Sequence, residues 1–246
     1  MGSAVRDSKL TIVVPTYNEA GNLPRLAEML MDLDLGPADL HLLVVDDNSP
    51  DGTGEIADKL AVDNPRISVL HRTAKNGLGR AYVDGMLQAL ADGADYVVQM
   101  DADLSHPAEA VPRMVEVLDT TDAAVVLGSR YVAGGHVASE WAWHRKLLSA
   151  WANFYVNAIL RLHVKDVTAG FKAWRAETLR AIDVATVRSS GYSFQVEMNY
   201  RTVKKGLRIL EVPIVFEERA EGASKMTLGV QLESAVTPWK LLFGRM

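Results

Sequence analysis

Two aspartates separated by one residue, Asp101 and Asp103, follow the apolar run YVVQM and open the segment DADLSH. At the end of a strand such a pair can converge on one hard cation. Carboxylates with open coordination positions suit Mg²⁺ or Mn²⁺ shared with a diphosphate. The competing reading is an Asp-rich turn in which Asp or Ser caps a helix at Pro107. A second cluster, DDNSPDGT at 46–53, follows LLVV. Asp47 could accept hydrogen bonds from a base or ribose, although Asn-Ser-Pro-Asp-Gly is also good turn chemistry. The adjacent acids Asp46 and Asp47 are more than a turn requires. A third cluster, PTYNE at 15–19, offers Tyr17 for stacking on a base and Glu19 for a ribose hydroxyl. Alternatively it is a helix start with Glu19 at the positive end.

Cations are the complement that such chemistry needs. Arg130 stands in LGSRY, Arg145 and Lys146 lead a long apolar stretch, and Arg219 and Lys225 lie in the polar segment EERAEGASKM. A diphosphate leaving group and a phosphate acceptor both call for positive charge, and Arg supplies it in bidentate form. Taken singly, each of these residues is equally a solvated surface charge. EERAEGASK has the composition of a loop that could close over substrate. His106 is the one histidine near this chemistry, either supporting it or serving as a loop residue.

The elements that must position these groups follow from the apolar pattern. Strands are expected over 10–14, 40–45, 67–70, 96–100 and 123–127. Helices are expected over 23–33, with Asn22 as cap and Pro24 in the first turn, and over 53–62 and 77–90, with another opening at Pro107. Alternating β and α implies an α/β fold, a mostly parallel sheet flanked by helices on both faces. Strand C-termini then share one edge, where open α/β sheets bind ligands. The three clusters therefore converge although they are far apart in sequence. Later, 141–162 reads as a long helix, 209–215 as a strand with Pro213 pointing to an edge position, and TPWKLLFGRM as the end of an amphipathic helix. With no repeat and no low-complexity linker, the expected organisation is one domain over 1–246, with a C-terminal amphipathic segment at about 226–246.

Composition narrows the function. Of 246 residues, 48% are hydrophobic and 23% charged, ordinary for a folded domain. A net charge of -5 argues against general nucleic-acid binding, so no nucleic-acid partner is expected. With no cysteine, thiolate nucleophiles, disulfides and zinc–thiolate sites are excluded. No apolar run reaches the length that spans a bilayer, and the first residues lack a secretory pattern. KNGLGRAY lacks the third glycine of a dinucleotide fingerprint, and no GxxxxGK[ST], HExxH or GxSxG occurs. The stretch with Trp141, Trp143, Leu147, Leu148, Trp151, Phe154, Tyr155 and Ile159 is either a helix buried on the core or a surface for lipid, with WKLLFGRM similar.

Taken in order, VVPTYNE, VVDDNSPDGT, KNGLGRAY, QMDADLSHP, LGSRY, TAGFKAWR, GYSFQVEMNYR and VPIVFEER with SK following resemble the family-2 glycosyltransferases of GT-A fold. The dolichol- or polyprenol-phosphate mannose synthases are the nearest group. The resemblance runs from about residue 10 to 227. It implies inverting transfer of mannose from GDP-mannose to a polyprenyl phosphate, with Mg²⁺ or Mn²⁺. It places Pro15, Tyr17, Glu19, Val45 and Asp47 on the nucleotide, and Asp101, Ala102 and Asp103 around the diphosphate with Asp103 a metal ligand. Arg130, Arg219 and Lys225 match residues that hold donor or acceptor phosphate, and Arg145 and Ser149 match the acceptor-phosphate region. Ser105 stands where many members carry a Gln metal ligand; its shorter hydroxyl could bind the metal directly, act through water or leave the metal more exposed, which leaves the metal preference open. Glu197 in FQVEMNY could orient the sugar or an arginine, or serve a structural role. Some members carry C-terminal transmembrane helices. This chain lacks them, so a cytoplasmic, peripheral location on the membrane surface is implied, through the amphipathic surface or an integral-membrane partner protein. Transfer of glucose or aminoarabinose, nucleotidyl transfer, and a non-catalytic nucleotide-sugar sensor are the alternatives.

Overall fold

The computed structural model describes residues 8–137, 143–189, 191–216 and 228–244. Strands β1 (Lys9–Thr16), β2 (Asp39–Asp46), β3 (Ile67–His71) and β4 (Tyr96–Gln99) are mutually parallel, with β2 and β4 on either side of β1. Counting β5 (Val125–Ser129), β7 (Lys172–Arg175) and β8 (Ile209–Pro213), the main sheet has the order β3-β2-β1-β4-β7-β5-β8. The two-residue strands β6 (His136–Val137) and β9 (Val215–Phe216) pair separately.

Side chains alternate across the sheet because successive strand residues point to opposite faces. Ile12, Val14, Leu42, Val44, Val98 and Val126 enter one apolar cluster, under α1 (Leu23–Met31), α2 (Thr53–Asp63) and α4 (Val111–Thr120). Val13, Leu43, Val45, Val97, Val125 and Leu127 enter the other. That second cluster also takes residues of α3 (Leu78–Ala91), α5 (Trp143–Leu160), α6 (Ala176–Ala181), α7 (Gly191–Lys204) and α8 (Leu228–Leu242). A face-to-face sheet of this kind needs near-continuous apolar strands, and β1, buried from Leu10 to Thr16, has one. At Gly85 of α3 a Cβ would meet Val13 Cγ1 at 2.5 Å and Val45 Cγ2 at 2.7 Å, so only glycine lets the helix lie this close.

Several expectations are corrected. Asn22 does not cap α1 with its side chain; it is helical, and its amide donates to Glu19 Oε2 at 2.8 Å. The helix ends at Met31 rather than Leu33. Pro107 precedes a 3₁₀ turn, Ala108–Ala110, and α4 begins only at Val111. The larger correction is β7, absent from the sequence reading. It lies antiparallel between β4 and β5. Because both its neighbours oppose it, β4 and β5 point the same way, so Arg130 emerges on the same edge as Asp101. β8 is the edge strand that Pro213 indicated.

Strand order reverses at β1: β2 and β3 build outward on one side and β4 on the other. Ligands of open α/β sheets sit outside the strand ends at such a point. Pairing of β1 with β4 stops at Val13–Gln99, whereas pairing with β2 runs on through Pro15–Val45 to Thr16–Asp46. Pro15, which lacks a donor, thus falls where β1 is bordered on one side only.

Candidate active site

Two loops meet beyond the ends of β1 and β2. The Asn18 N–H donates to Ser49 Oγ (3.2 Å), Glu19 N–H to Thr53 Oγ1 (2.9 Å) and Ala20 N–H to Asp51 Oδ2 (3.2 Å). The loop after β1 is thereby stitched to the loop after β2. Asp46 and Asp47 divide the work. Asp46 is structural, accepting from Thr16 Oγ1 (3.3 Å) and from Ser49 through Oγ (2.6 Å) and N–H (3.2 Å). Asp47 is buried and paired with Arg72, whose Nε also donates to Asp84 Oδ2 at 2.9 Å. Burial pushes the Asp47 carboxyl above its ordinary range; Arg72 draws it back, and the Asp46 charge adds to the rise. The Lys75 ammonium lies 3.4 Å from the centre of the half-buried Tyr17 ring, a cation–π contact. Pro15 and Val45 face each other in register at the strand ends.

The DADLSH loop is shaped by its own side chains. Leu104 takes a left-handed conformation, φ 61°, which turns the chain back after Asp103. Ser105 donates to Asp103 Oδ1 through its hydroxyl (2.5 Å) and N–H (3.2 Å). Buried Asp103 is thus oriented by the residue two along. Asp101 Oδ1 accepts from Tyr82 OH at 2.5 Å; burial, then the Asp101 charge, raises that phenol well above its usual value, so it remains a donor. The Asp101 N–H donates to His106 Nδ1 (3.2 Å), and the imidazole stacks on Phe171 with ring centres 5.1 Å apart. Ala102 is buried between the two aspartates. Hard oxygen donors from one loop, held before any ligand arrives, fit a Mg²⁺- or Mn²⁺-type ion that takes its other ligands from phosphate and water. Among the described residues, no group of three or more His, Cys, Asp or Glu side chains is placed to hold a metal ion by itself.

Across the crevice, Arg130 is gripped by Asp166. Its Nε and Nη2 donate to the two carboxylate oxygens, each at 2.7 Å, and Nη2 also donates to Thr168 Oγ1 at 3.0 Å. Asp166 is itself held by its own N–H, which donates to Glu211 Oε1 at 3.0 Å. Ser149 is half-buried on α5. Arg219 and Lys225 lie outside the described residues, as does the side chain of Arg145. Glu197 accepts from Arg201 Nε (2.8 Å) and from the Ser189 N–H (3.1 Å), so it orients an arginine.

Residues 11–183 match the model of glycosyl transferase family 2. The chain belongs to that family. An undecaprenyl-phosphate mannosyltransferase of Micrococcus luteus is 46% identical over 235 residues, covering 95% of this chain and 94% of that protein. A polyprenol monophosphomannose synthase of Mycolicibacterium smegmatis is 44% identical over 227 residues, 92% of this chain and 84% of that protein. Among solved structures, glucosyl-3-phosphoglycerate synthase of Mycobacterium tuberculosis, crystallised with Mn²⁺, UDP and glucosyl-3-phosphoglycerate, superposes with a TM-score of 0.68. At 20% identity over 97% of this chain and 80% of that one, the likeness establishes the GT-A fold.

As a family-2 glycosyltransferase the chain makes sense of motifs whose residues sequence reasoning left without roles. Lys75 and Tyr82, both in KNGLGRAY, reach Tyr17 and Asp101. Thr168 of TAGFKAWR touches Arg130. Arg72 and Asp166 had no periodic or spacing signal. Their partners are 25 and 36 residues away, and only the sheet brings them together.

Proposed function

We propose that this enzyme transfers mannose from GDP-mannose to a polyprenyl phosphate, inverting the anomeric configuration and releasing GDP. The observation that carries the proposal is the 44–46% identity, over 92–95% of this chain, to two enzymes named for polyprenyl-phosphate mannosyl chemistry. An acceptor phosphate oxygen, already anionic near neutral pH, attacks the anomeric carbon, so no strong general base is required. As that bond forms, the bond from the sugar to the diphosphate breaks and its electron pair leaves with GDP. A divalent cation, Mg²⁺ or Mn²⁺, supplies charge against the departing diphosphate. Asp103 would hold it, with Ser105 orienting Asp103 Oδ1 or joining the ligand set, and Asp101 and Ala102 bordering the diphosphate. Tyr17, Glu19 and Asp47 engage base and ribose above Pro15 and Val45. Arg130 meets phosphate, its guanidinium aligned by Asp166. Arg219 and Lys225 are assigned to donor phosphates, and Arg145 and Ser149 to acceptor phosphate, by motif position.

For the lipid acceptor we assign a peripheral site on the cytoplasmic membrane face, alone or beside an integral-membrane partner. Among the described residues, no helix is long and apolar enough to cross a membrane. Support comes from α5 and α8, which lie together through Tyr155 OH donating to Ala235 O (2.8 Å) and Trp239 Nε1 donating to Tyr155 OH (2.9 Å). On α5, Leu147 (62%), Trp151 (54%) and Phe154 (71%) are exposed at the spacing of one helix face, and Phe243 (65%), just past α8, stacks on Trp239. Such a cluster, with aromatic rings among it, fits the interface of a bilayer.

A donor screen with a short polyprenyl phosphate and either metal tests the reading. Metal-dependent polyprenyl-phosphate mannose with release of GDP is expected. Transfer from a UDP-sugar instead would change the donor, and donor binding without turnover would replace the enzyme with a sensor.

A further inference from the structure

Lys172 of β7 is fully buried, and among the described residues its ammonium forms no ion pair: it donates to Gln195 O (3.2 Å) and Asn199 Oδ1 (2.9 Å), both on α7, while the Asp166 charge acts on it without direct contact. Burying a cation this way is costly, and a well-packed apolar side chain would usually serve stability as well or better. Its position points to another reason. In the sheet Lys172 lies between Gln99 of β4 and Leu127 of β5, two and three residues before Asp101 and Arg130. The Gln195 side chain, on the residue whose carbonyl Lys172 holds, accepts from Gln99 Nε2 at 2.9 Å. A Cβ at Gly170 would stand 3.5 Å from Asp101 Oδ2 and 3.7 Å from Gln195 Nε2, so Gln195 and Asp101 border the same gap. Asn199, the other partner of Lys172, donates through Nδ2 to Val167 O at 3.0 Å, next to the Asp166 that grips Arg130. One buried ammonium therefore connects the strand end bearing Asp101 with the loop that aligns Arg130.

We propose that Lys172 is a positioning residue for glycosyl transfer: through Gln195 and Asn199 it sets the spacing between the Asp101–Asp103 loop and the Asp166–Arg130 pair. This rests on the transfer reading above and adds to it a residue that touches neither substrate. Misplacement of reacting groups by a fraction of an ångström lowers turnover more than it lowers binding.

The test is mannosyl transfer by Lys172→Met and Asn199→Leu, with kcat and donor KM separated, GDP affinity measured by calorimetry, and folding followed by circular dichroism. Both variants are expected to lose roughly 10- to 100-fold in kcat while donor KM and GDP affinity stay within about threefold of wild type. Lys172→Arg, which keeps a donor for the same carbonyl and amide, should recover part of kcat. Thr178→Val is the control, because it removes a buried hydrogen bond to Ala124 O on the far side of β5 from the site. An equal kcat loss in Thr178→Val, or wild-type kcat in either folded variant, overturns the proposal. If Lys172→Met does not fold, Asn199→Leu decides alone. Wild-type enzyme that transfers no mannose refutes the transfer reading instead, and the series is then scored with whichever donor it accepts.

Discussion

The carboxylate of Asp166, which has no exposed surface, receives Nε, Nη2 and the backbone N–H of Arg130 at 2.7, 2.7 and 3.0 Å. One buried acid thus fixes both the main chain and the guanidinium of the residue assigned to phosphate. Arg130→Met is expected to lower kcat about 100-fold. Asp166→Asn should lose most of the same amount, because the fork loosens even though the shape is kept. The double variant should be no worse than the poorer single one, and a double-mutant cycle on kcat/KM measures this non-additivity. Strict additivity would mean that the two act separately.

Asp103→Ala is expected to reduce metal-dependent turnover by about 1,000-fold, with a far-ultraviolet spectrum like that of wild type. Chelation should silence the wild type and added Mg²⁺ or Mn²⁺ should restore it, whereas the variant should not respond. Near-normal activity with intact metal dependence removes Asp103 from the site.

Arg72→Leu leaves Asp47 buried beside Asp46 without its cation. With the lowering influence of Arg72 gone, the Asp47 carboxyl rises further, and more of it is protonated as pH falls. A protonated Asp47 offers fewer acceptor sites to the nucleotide. Donor KM should therefore rise about 10-fold near neutral pH and further in acid, with a smaller change in kcat. A pH series of KM checks the sign, and an unchanged KM would take Asp47 off the donor.

Burial lowers the Lys172 pKa from 10.5 to about 7, and the Asp166 charge opposes the shift. Between those values the unfolded chain binds the extra proton, so stability rises with pH across the window and is lost as pH falls through about 7. Denaturation of wild type and Lys172→Met at about pH 7 and about pH 9.5 isolates this contribution, because the variant has no such group to titrate. Equal slopes in the two proteins would place the ammonium in a less buried setting.

Replacing Trp151 and Phe154 together by Ser should lower binding to liposomes about 10-fold or more, since each ring contributes a few kcal/mol when it enters the interface. Turnover with a short, water-soluble acceptor should remain near wild type. Loss of both activities would mean that these rings support the fold.

Much of this was legible in the chain itself. Val13–Thr16, Leu42–Asp46 and Val97–Gln99 are apolar runs that end in polar clusters. Parallel strands carry their ends to one edge whatever the details of packing, so Asp47, Asp103 and the PTYNE segment were bound to converge. The antiparallel β7 was not legible. Four residues with a lysine among them resemble no buried strand, and their pairing with β4 and β5 depends on contacts 45 to 79 positions away in sequence. The roles of Asp46 and Asp47 were equally closed to pattern, because adjacent carboxylates look alike until one meets Ser49 and the other Arg72.

The sequence by itself determined the α/β order, the acidic and basic chemistry at the strand ends and the family to which the chain belongs, because local periodicity and residue type are written along the chain. Only the tertiary structure decided that Asp166 aligns Arg130, that Tyr82 and His106 brace Asp101, and that Lys172 ties the two halves of the site together. Those relationships depend on which strands become neighbours, and that is fixed by the burial of the whole sheet rather than by any segment of it.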